Sequence, residues 1–542
     1  MPPWRVCTPC QGELPVTQGK PRRRIMGLMP SVRALPSPLL RPRHFDRDDV
    51  VVHAGLFSLV NSSTTPRAAW TEDLVALGEV LVEAEFPYRL IRGNDGSPFL
   101  AIDRSLGAEL ATLLARAFAT EPFYVKTLDK RGTPAQLLAE GIIAPYPRAA
   151  VFSLFRPRVS PNGSLRYGAR SGVRLEFWKV GEEEIITPAE NALMRNSLPV
   201  TEAIDAHVEL YGRTWPTFEG MFEPLVSDIR FDVDMVFSWV DGTDLDFQRA
   251  RAARMASYVV GEGDDAPARF RQIDELKYAL RSVYMYAPWV RRIFIVTDSP
   301  RPQWLEDHPD VTLVRSEDHF RDLSVLPTHN SHAVESQLHR IPGLAEHFLY
   351  SNDDMFFGRP VNPSIFFSPG GITKFIEATT RIGMGDSNAA RSGFENAARV
   401  NRRLLRERFG AMTTRHLEHA ATPLRKTVMA ELEAEFEPEF TATAASRFRS
   451  SSDVSVTNSL YHYYALMTGR AVVQENASVK YVDTTMHQGL KDMKKLLKNR
   501  SVDFFCLNDG SFPEISAEAR TKAVIGFLEE YYPIPAPWER ED

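Results

Sequence analysis

The stretch FLYSNDDMFFG, at residues 348–358, decides the fold of this chain. It is a short apolar run that ends abruptly in an Asn and two adjacent carboxylates, Asp353 and Asp354. Two acidic groups at the end of a buried strand are costly to hold together unless a cation, or a metal bound to phosphate, offsets their charge. The alternative is a solvated Asn-Asp turn, and this motif alone supports both interpretations equally.

The same pattern of apolar strand, carboxylate-bearing loop and helix repeats from Asp232 onward. Residues 235–240 are followed by Asp241-Gly242-Thr243-Asp244, and residues 293–296 by Thr297-Asp298-Ser299. Apolar residues at helical spacing lie between these strands, which predicts a βαβ unit with a right-handed crossover. Open sheets of this kind bind ligands outside the carboxyl ends of their strands. We therefore predict an α/β, Rossmann-like domain with a largely parallel sheet, in which the acidic segments meet at one edge.

The composition sets a wide frame around this domain. The chain has 542 residues, of which 43% are hydrophobic and 25% charged, as is usual for two or more domains. The net charge of -6 argues against a nucleic-acid partner. Three cysteines cannot build a disulfide framework, and no apolar run has the length of a membrane span or a signal peptide. We expect a cytoplasmic protein with no integral membrane segment.

The chain divides into three predicted parts. Residues 1–45 hold nine prolines and eight Lys or Arg against the single acid Glu13, which predicts a disordered basic tail. A hydrated extension is favoured over contact of this tail with anionic lipid at the inner face of the membrane. Residues 46–225 are predicted to form a smaller α+β domain whose role is open. Residues 230–540 carry the acidic motifs.

Each polar position near the strand ends also has a purely structural interpretation. Trp239 is a core residue or a platform for a nucleobase, and the core is favoured. Asp241 and Asp244 can cap the helix that follows them. Asn330 can begin a short helix on which Glu335 is exposed and inert, although a carboxylate one helix before the Asn-Asp-Asp strand can also serve as ligand or base.

Four blocks of the sequence, taken together, resemble the Stealth proteins. This family comprises bacterial capsule and exopolysaccharide phosphotransferases and includes the catalytic subunit of the animal lysosomal-enzyme GlcNAc-1-phosphotransferase. The chain is most similar to actinobacterial exopolysaccharide phosphotransferases. The resemblance covers about residues 230–257, 267–372, 415–464 and 500–540, through the segments FSWVDG at 237–242, RFRQIDELKYALRS at 269–282, HNSHAVES at 329–336, YSNDDMFFG at 350–358, HAATPLRKTVMAELEAEF at 419–436, RFRSSSDVSVTNSLYHYY at 447–464 and FFCLNDG at 504–510.

The resemblance implies a GT-A-like fold and a reaction. A sugar-1-phosphate moves from a nucleotide diphosphate sugar, typically a UDP-N-acetylhexosamine, to a hydroxyl of a glycan acceptor, with release of UMP. Such chemistry needs a divalent ion, Mg²⁺ or Mn²⁺, a cation beside the phosphoryl oxygens and a base for the acceptor proton. A Walker loop is absent from the sequence, so metal and arginine are expected to hold the phosphates.

The resemblance also implies roles for individual residues. His419, expected just before a helix over residues 424–432, becomes the candidate base, and Arg449 the candidate phosphoryl clamp. Without the resemblance, His419 would be a surface histidine and the Asn508-Asp509 pair a turn. The implied catalytic set is Glu335, Asp354, His419 and Arg449. The implied metal ligands are Asp353, Asp354, Asn508 and Asp509. The implied donor contacts are Trp239, Asp241, Gly242, Asp244, Arg271 and Asn330.

Two further expectations concern the surroundings of this site. Asp453 can cap a helix over residues 454–466, which would place Arg449 in the preceding loop. Asn396, Asn401 and Arg402 are expected to face a glycan, whose identity the sequence does not define. Two other functions stay open: a metal-dependent glycosyltransferase that releases UDP, and a non-catalytic glycan-binding protein, which the intact catalytic set argues against.

Overall fold

The computed structural model describes residues 45, 47–141, 149–242, 249, 273–510 and 513–540. Residues 47–542 belong to one compact unit. Apart from Phe45, the predicted basic tail lies outside the described residues, and so do Asp244 and Arg271. Within the described part of the chain, no helix is both long and apolar enough to span a membrane.

The region before residue 225 combines helices with mainly antiparallel strands. Leucines at helical spacing on its two α-helices are buried against the central sheet. Its helices are α1 (Pro66–Glu83) and α2 (Gly107–Ala117). Its strands are β1 (Val50–His53), β2 (Leu56–Val60), β3 (Arg89–Arg92), β4 (Pro98–Asp103), β5 (Tyr124–Thr127), β6 (Gln136–Leu137), β7 (Val151–Phe155), β8 (Arg158–Val159), β9 (Arg166–Tyr167), β10 (Val173–Val180), β11 (Glu184–Ile186), β12 (Ser197–Pro199), β13 (Asp205–Leu210) and β14 (Arg213–Phe218).

The sheets of this first region follow from the strand pairings. The largest has the order β12-β11-β10-β7-β5-β6, and β4 joins it beside β10 while pairing with β3 on its other side. A smaller sheet has the order β1-β2-β8-β9, and β13 and β14 form a hairpin. The region is therefore α+β, as predicted.

The second region contains the predicted parallel sheet. Its strands are β15 (Val233–Ser238), β16 (Ile293–Val296), β17 (Val311–Val314), β18 (His347–Asn352), β19 (Met355–Phe357), β20 (Thr373–Phe375), β21 (Glu377–Arg381), β22 (Arg415–Leu417), β23 (Thr422–Arg425), β24 (Ala471–Val473), β25 (Val479–Asp483) and β26 (Phe504–Asn508). Its helices are α3 (Glu275–Tyr286), α4 (Ser316–His319), α5 (Ser331–Glu335), α6 (Gly393–Phe409), α7 (Lys426–Glu435), α8 (Glu437–Ala445), α9 (Tyr461–Met467), α10 (His487–Asn499) and α11 (Ala517–Tyr531).

The main sheet of this region has the order β17-β16-β15-β18-β23. Neighbouring strands from β17 to β18 run parallel, and only β23 runs antiparallel to its neighbour β18. The α/β class with a largely parallel sheet is therefore confirmed. The helix expected over residues 424–432 is partly wrong, because residues 422–425 form strand β23 and the helix begins at Lys426. Its Val428, Met429 and Leu432 are buried, as helical spacing predicts.

A second, smaller sheet places the Asn508-Asp509-Gly510 motif beside the main sheet. Strand β19 follows β18 after the two aspartates and pairs antiparallel with β26, which lies parallel to β25. Aromatic side chains fill the layer beneath it: Phe505 is stacked with Phe356 at a ring-centroid distance of 5.2 Å. At the end of α11, the Tyr531 hydroxyl donates to the Gly358 carbonyl at 2.8 Å. Residues 508–510 are thereby fixed next to residues 353–354.

The two regions share a hydrophobic core. Leu165 and Tyr167 of the first region are buried in the same cluster as Tyr531 and the strands β15 and β16. Arg500 lies 4.1 Å over the Tyr531 ring, and its guanidinium lies 3.4 Å from the Ser164 carbonyl oxygen. Separate sheets with a shared core are compatible with two domains, and the boundary between residues 225 and 230 stays a prediction.

We predict that Asp73 is a major stabilising residue of the first region. It is buried, and its carboxylate accepts from Arg156 Nε at 2.7 Å and Arg158 Nη2 at 2.9 Å. Asp73→Ala removes the buried carboxylate that both arginines share and leaves Arg158 paired only with Glu72 and Arg156 only with the more distant Glu121. It should therefore lower the free energy of unfolding in urea by about 3 kcal/mol. The control is Glu79→Ala, at an exposed pair with Arg213, which should cost about 1 kcal/mol or less. Equal losses in both variants would contradict this assignment.

Candidate active site

The strand ends that carry the acidic motifs meet at one edge of the main sheet. Ser238, the last residue of β15, is paired in register with Asn352, the last residue of β18, so Asp353 follows at that edge. The end of β16 lies alongside, and its Asp298 is used structurally. Its two carboxylate oxygens accept from the Ser316 amide at 2.8 Å and the Ser316 hydroxyl at 2.7 Å, which fixes the start of α4.

Three carboxylates crowd together at this edge. Burial, together with the charge of Asp354, raises the pKa of Asp353 to about 7. Burial, together with the charges of Glu275 and Asp509, raises the pKa of Asp354 to about 6. Burial and the charge of Asp353 raise the pKa of Glu275, on the first turn of α3, to about 7. The group holds more negative charge than its surroundings stabilise, and this favours a proton or an added cation.

Asp354 lies at the centre of this group. Its Oδ2 accepts from the Cys506 thiol at 3.4 Å, and burial keeps the pKa of that thiol well above its usual value, so the thiol remains a donor. Its Oδ1 is buried and has no hydrogen-bond partner among the described residues. A buried carboxylate oxygen without a partner is costly, so this atom is the most suitable of the group to contact a cation.

Arg520 is a site residue that sequence analysis missed. It is buried on α11, where its guanidinium contacts the Asp509 carboxylate and lies 4.0 Å from Glu275. Its Nε donates to the Thr484 hydroxyl at 2.8 Å, and that hydroxyl donates to Asp509 Oδ1 at 2.9 Å. The sequence offered one signal: Arg520 falls on the buried stripe of its helix, in helical register with Val524.

Asn508 and His419 both contact Tyr481. The Asn508 side-chain amide donates to the Tyr481 hydroxyl at 2.8 Å, and its carbonyl oxygen accepts from the Asp509 backbone amide at 2.7 Å. The Tyr481 ring lies 5.1 Å from the His419 ring, centroid to centroid. Burial lowers the pKa of His419. The structure thus brings His419 to the same edge as residues 353–354 and 508–509.

Glu335 is buried rather than exposed, so the interpretation as an inert surface residue is wrong. Its Oε2 accepts from the Thr457 hydroxyl at 2.6 Å, and its Oε1 lies 3.4 Å from the Tyr350 hydroxyl. The Tyr350 hydroxyl is also 2.7 Å from the Ser238 hydroxyl and 3.1 Å from Asn352 Oδ1. Glu335 therefore belongs to a hydrogen-bond network that fixes the ends of β15 and β18.

Asn330 holds the loop that carries Arg449. Its Oδ1 accepts from the His332 amide at 3.1 Å at the start of α5, as predicted for a helix cap. Its Nδ2 donates to the Ser446 carbonyl at 3.0 Å and to Asp453 Oδ2 at 2.8 Å. Because its amide is turned to the protein, the contacts give Asn330 a positioning role. Asp453 Oδ2 also accepts from the Ser450 amide, at 2.8 Å, within this loop.

The predicted helix over residues 454–466 therefore starts differently from what was expected. Asp453 does not cap it, because its carboxylate is used by the loop and by Asn330. The helix opens instead with a π-helical turn at Val456–Leu460, which follows Ser455 and leads into α9. This turn places Thr457 where its hydroxyl reaches Glu335.

Arg449 extends from this loop toward the first residues of α5 and α6. Its Nη2 donates to the Ser331 hydroxyl at 2.7 Å. Its side chain packs on Gly393, where a Cβ atom would lie 2.8 Å from Arg449 Cδ. Its positive charge opposes the rise in the pKa of buried Tyr350, which shows that it lies near the strand-end network. The structure thus places Arg449 near the hydrogen-bond network of Tyr350 and Glu335.

The remaining predicted contacts fall into three groups. Trp239 is buried in the core, the favoured interpretation, and its Nε1 has no partner among the described residues. The Asp241 amide donates to the Ser299 hydroxyl at 2.8 Å, which holds residues 241–242 against the end of β16. Asp244 and Arg271 lie outside the described residues.

The expected glycan contacts at Asn396 and Asn401 are wrong. Both amides are buried inside the packing of α6: the Asn396 Nδ2 donates to the Asn388 carbonyl at 2.8 Å, and the Asn401 Nδ2 donates to the Ser455 carbonyl at 2.8 Å. Arg402 is less buried and donates to the Gly383 and Gly385 carbonyls.

The contacts also bear on whether the predicted ligands, Asp353, Asp354, Asn508 and Asp509, suit a metal ion. Over residues 273–510 and the other described ranges, no group of three or more His, Cys, Asp or Glu side chains is arranged to hold a metal ion. One reason is that Asp509 is paired with Arg520. Asp353 and Asp354 fit a cation that takes its other ligands from a bound diphosphate and water, which is the usual arrangement for Mg²⁺.

Comparison with known proteins identifies the family. Models of the four Stealth conserved regions match residues 231–259, 269–375, 418–466 and 494–542. The exopolysaccharide phosphotransferase CpsY of Mycobacterium tuberculosis is 60% identical over 91% of this chain and 92% of its own length. CpsY of Mycobacterium leprae is 57% identical over 91% and 90%, and the exopolysaccharide phosphotransferase of Nocardia farcinica is 53% identical over 86% and 87%.

Among solved structures, the galactosyltransferase LgtC aligns with 56% of this chain and 96% of its own, at 12% identity and a TM-score of 0.28. A likeness at that level does not bear on function. The strand order defines an α/β fold with a largely parallel sheet. With four matching regions and relatives above 50% identity, the chain belongs to the Stealth family, and it is an enzyme of the phosphotransferase class.

We predict that Asp353→Asn stabilises the metal-free protein at pH 8. The folded-state pKa of Asp353, about 7, lies above that of an unfolded Asp, so its contribution to stability is present at pH 4 and is lost as the pH rises through 7. Removing the charge should raise the free energy of unfolding at pH 8, in a chelator, by about 2 kcal/mol, with little gain at pH 5.

The matched control for this measurement is Asp307→Asn. The Asp307 side chain is 94% exposed and lies far from the carboxylates in the fold, so its removal should leave the pH dependence of unfolding unchanged. A lower stability of Asp353→Asn than of the wild type at pH 8 would show that the carboxylates do not repel one another as described.

Proposed function

We propose that the chain transfers a sugar-1-phosphate from a UDP-sugar, a UDP-N-acetylhexosamine, to a hydroxyl of a glycan acceptor during capsule or exopolysaccharide synthesis. The reaction forms a phosphodiester and releases UMP. One observation carries the proposal: crowded carboxylates lie at the strand ends, where Arg449 adjoins the Tyr350 hydroxyl network and His419, whose pKa is lowered, contacts Tyr481 beside Asn508. Relatives named exopolysaccharide phosphotransferase support it.

The carboxylates would hold the divalent ion, Mg²⁺ or Mn²⁺. Asp353 and Asp354 are the proposed ligands, because Asp354 has a buried oxygen without a partner among the described residues. When bound, the ion would offset negative charge on the diphosphate and on the leaving UMP. Asn508 and Asp509 support the site from its side, since the first bonds Tyr481 and the second is paired with Arg520.

Arg520 keeps the negative charge of the site in place. Its guanidinium contacts Asp509, and its charge opposes the rise in the pKa of Glu275. We therefore assign Arg520 a positioning role: by pairing with Asp509 it holds residues 508–510 beside the carboxylates. Charge balance of this kind reduces the cost of keeping several acidic groups at one edge.

Arg449 is suited to the phosphoryl oxygens. Guanidinium groups bind phosphate through paired N–H donors, and the loop that carries Arg449 is fixed by Asn330 and Ser331. This arrangement orients the donor without movement of the loop. Glu335 would act through Tyr350 and Thr457 as a positioning residue, because both of its oxygens contact hydroxyl groups of the protein.

His419 is the proposed base. Burial lowers its pKa, so the imidazole is neutral at pH 7 and can accept a proton. The acceptor oxygen would form a bond to the phosphorus next to the sugar as its proton passes to the imidazole, and the bond from that phosphorus to the UMP oxygen breaks. The products are the glycan that carries the sugar phosphate and UMP.

The experiment that separates this function from glycosyl transfer is product analysis. Protein incubated with UDP-N-acetylglucosamine, Mg²⁺ and a glycan acceptor should yield UMP and a glycan with a phosphodiester signal in ³¹P NMR. A metal-dependent glycosyltransferase on the same donor would yield UDP and a phosphorus-free glycan. That second pattern would overturn the proposal.

We predict that Arg449→Ala lowers kcat by about two or more orders of magnitude, because it removes donors from the transferring phosphoryl group. Arg447→Ala is the matched control: Arg447 lies in the same loop, is exposed, and contributes only its backbone carbonyl to the described contacts of the loop. Thermal unfolding of both variants should match that of the wild type. A kcat near the wild-type value in Arg449→Ala would remove this residue from the mechanism.

We predict a comparable loss for His419→Ala, with an additional change in the pH profile of kcat. Since the pKa of His419 is lowered, wild-type activity should fall only as the pH drops below about 6.5, the usual value of a histidine. The residual activity of His419→Ala should lack this acidic limb. An acidic limb that persists unchanged in the variant would assign the base to another group.

A further inference from the structure

Three arginines surround one turn at the start of α6. The turn Gly383–Gly385 lies between them: a Cβ at Gly383 would lie 3.2 Å from Arg399 Nη2, and a Cβ at Gly385 would lie 3.4 Å from Arg391 Nη2. Arg402 donates to the Gly383 carbonyl at 2.6 Å and to the Gly385 carbonyl at 2.8 Å. We call Arg391, Arg399 and Arg402 the arginine cluster.

The arginine cluster adjoins the proposed catalytic residues. Helix α6 begins at Gly393, which packs directly on the Arg449 side chain. The next residue, Phe394, is stacked on His416 at a ring-centroid distance of 4.6 Å. Burial, together with the charges of Arg399 and His419, lowers the pKa of His416, so His416 lies near both the cluster and the proposed base. The first residues of α6 thus adjoin both Arg449 and His416.

Positive charge in the cluster exceeds the nearby negative charge. Among the described residues, the cluster forms an ion pair with Glu395, whose carboxylate lies 3.9 Å from Arg391 and whose side chain is 47% exposed. The Nε atoms of Arg391 and Arg399 are buried and have no hydrogen-bond partner among the described residues. Arg399 is only 6% exposed, and burial together with the charge of Arg391 lowers its pKa. A buried N–H donor without an acceptor is costly, and a bound anion would supply that acceptor.

A purely structural role does not account for the whole cluster. Holding the turn uses the donors of Arg402, and Arg399 Nη1 donates to the Glu395 carbonyl at 2.8 Å. Neither contact uses the two unpartnered Nε groups. Arg402 alone already holds the turn. Arg391 and Arg399 add positive charge beside it, and neither donates a described hydrogen bond to the turn. Their placement is explained if a ligand supplies the negative charge.

We propose that the arginine cluster is an anion-binding subsite for the glycan acceptor, which takes a phosphodiester or carboxylate on a sugar next to the accepting hydroxyl. The proposal rests on the proposed function, because it makes the acceptor side of that site selective for anionic glycans. Helix α6, which carries Arg399 and Arg402, packs its first residue on Arg449 and stacks Phe394 on His416, near where the acceptor would approach the base. Guanidinium groups suit both anions through charge-assisted hydrogen bonds.

Calorimetric binding without donor or metal tests the subsite independently of catalysis. The probes are three N-acetylglucosamine trisaccharides that differ in one group: unsubstituted, carrying a methyl phosphodiester, and carrying a carboxylate. We expect at least one anionic form to bind about ten-fold or more tightly than the neutral form, and the advantage to shrink as salt rises. Comparison of the two anionic forms identifies which anion the subsite takes.

The variants are Arg391→Gln and Arg402→Gln, with Arg403→Gln as the matched control. Arg403 lies on the exposed side of the same helix and pairs with Glu407 at 3.2 Å. The preference for the anionic form should disappear in Arg391→Gln and persist in Arg403→Gln. Arg402→Gln tests the turn separately, and thermal unfolding monitors folding in all three.

Equal binding of all three trisaccharides to the wild type, or their failure to bind, would overturn the subsite. So would an equal loss in Arg391→Gln and Arg403→Gln. The proposed function is judged apart from this, by release of UMP from the donor with the trisaccharide that binds most tightly. Failure of that reaction, with anion binding intact, would overturn the proposed function and leave the anion subsite standing.

Discussion

Repulsion between buried carboxylates is the constraint on which this structure depends. Glu275 lies on α3, and Asp353 and Asp354 follow the end of β18. The negative charge of each of these residues raises the pKa of another. Such a group persists only where surrounding elements are rigid. The stacked aromatic layer under β19 and β26 and the register of β15 with β18 supply that rigidity. The cost of holding the charges together is offset when a cation and a phosphate arrive.

Two sets of contacts fix the groups near the carboxylates. Asn330 and Glu335 fix the loop and strand ends beside Arg449, so the phosphoryl group of a donor would meet a preorganised cation. His419 packs against Tyr481, whose hydroxyl bonds Asn508. Helix α6, which carries Arg399 and Arg402, packs on Arg449 at its start. Residues far apart in the chain, from α3 to α11, therefore contribute to one site.

Much of this could be predicted from the sequence, because strand ends of a parallel sheet meet at one edge whatever lies between them. The run before Asp353 and the spacing of the βαβ unit therefore gave the sheet and the acidic edge. Arg520 could not be found this way, since its partner Asp509 lies eleven positions earlier and a lone arginine in a helix is usually solvated. The predicted glycan contact of Asn401 is wrong for a similar reason. The partner of its amide, the Ser455 carbonyl, lies 54 positions later in the chain, so the sequence does not show that the amide is buried. The helix predicted over residues 424–432 begins two residues too early, because a short apolar run does not distinguish the end of a strand from the start of a helix.

The measurement that tests the central claim most directly is titration of the protein with Mn²⁺, followed by electron paramagnetic resonance, with and without UDP-N-acetylglucosamine at pH 8. If the crowded carboxylates are the cation site, one Mn²⁺ should bind per chain in the presence of the donor. Affinity should fall by about a hundred-fold in Asp354→Asn while the control Asp307→Asn binds like the wild type. Equal Mn²⁺ affinity of Asp354→Asn and wild type would contradict the account.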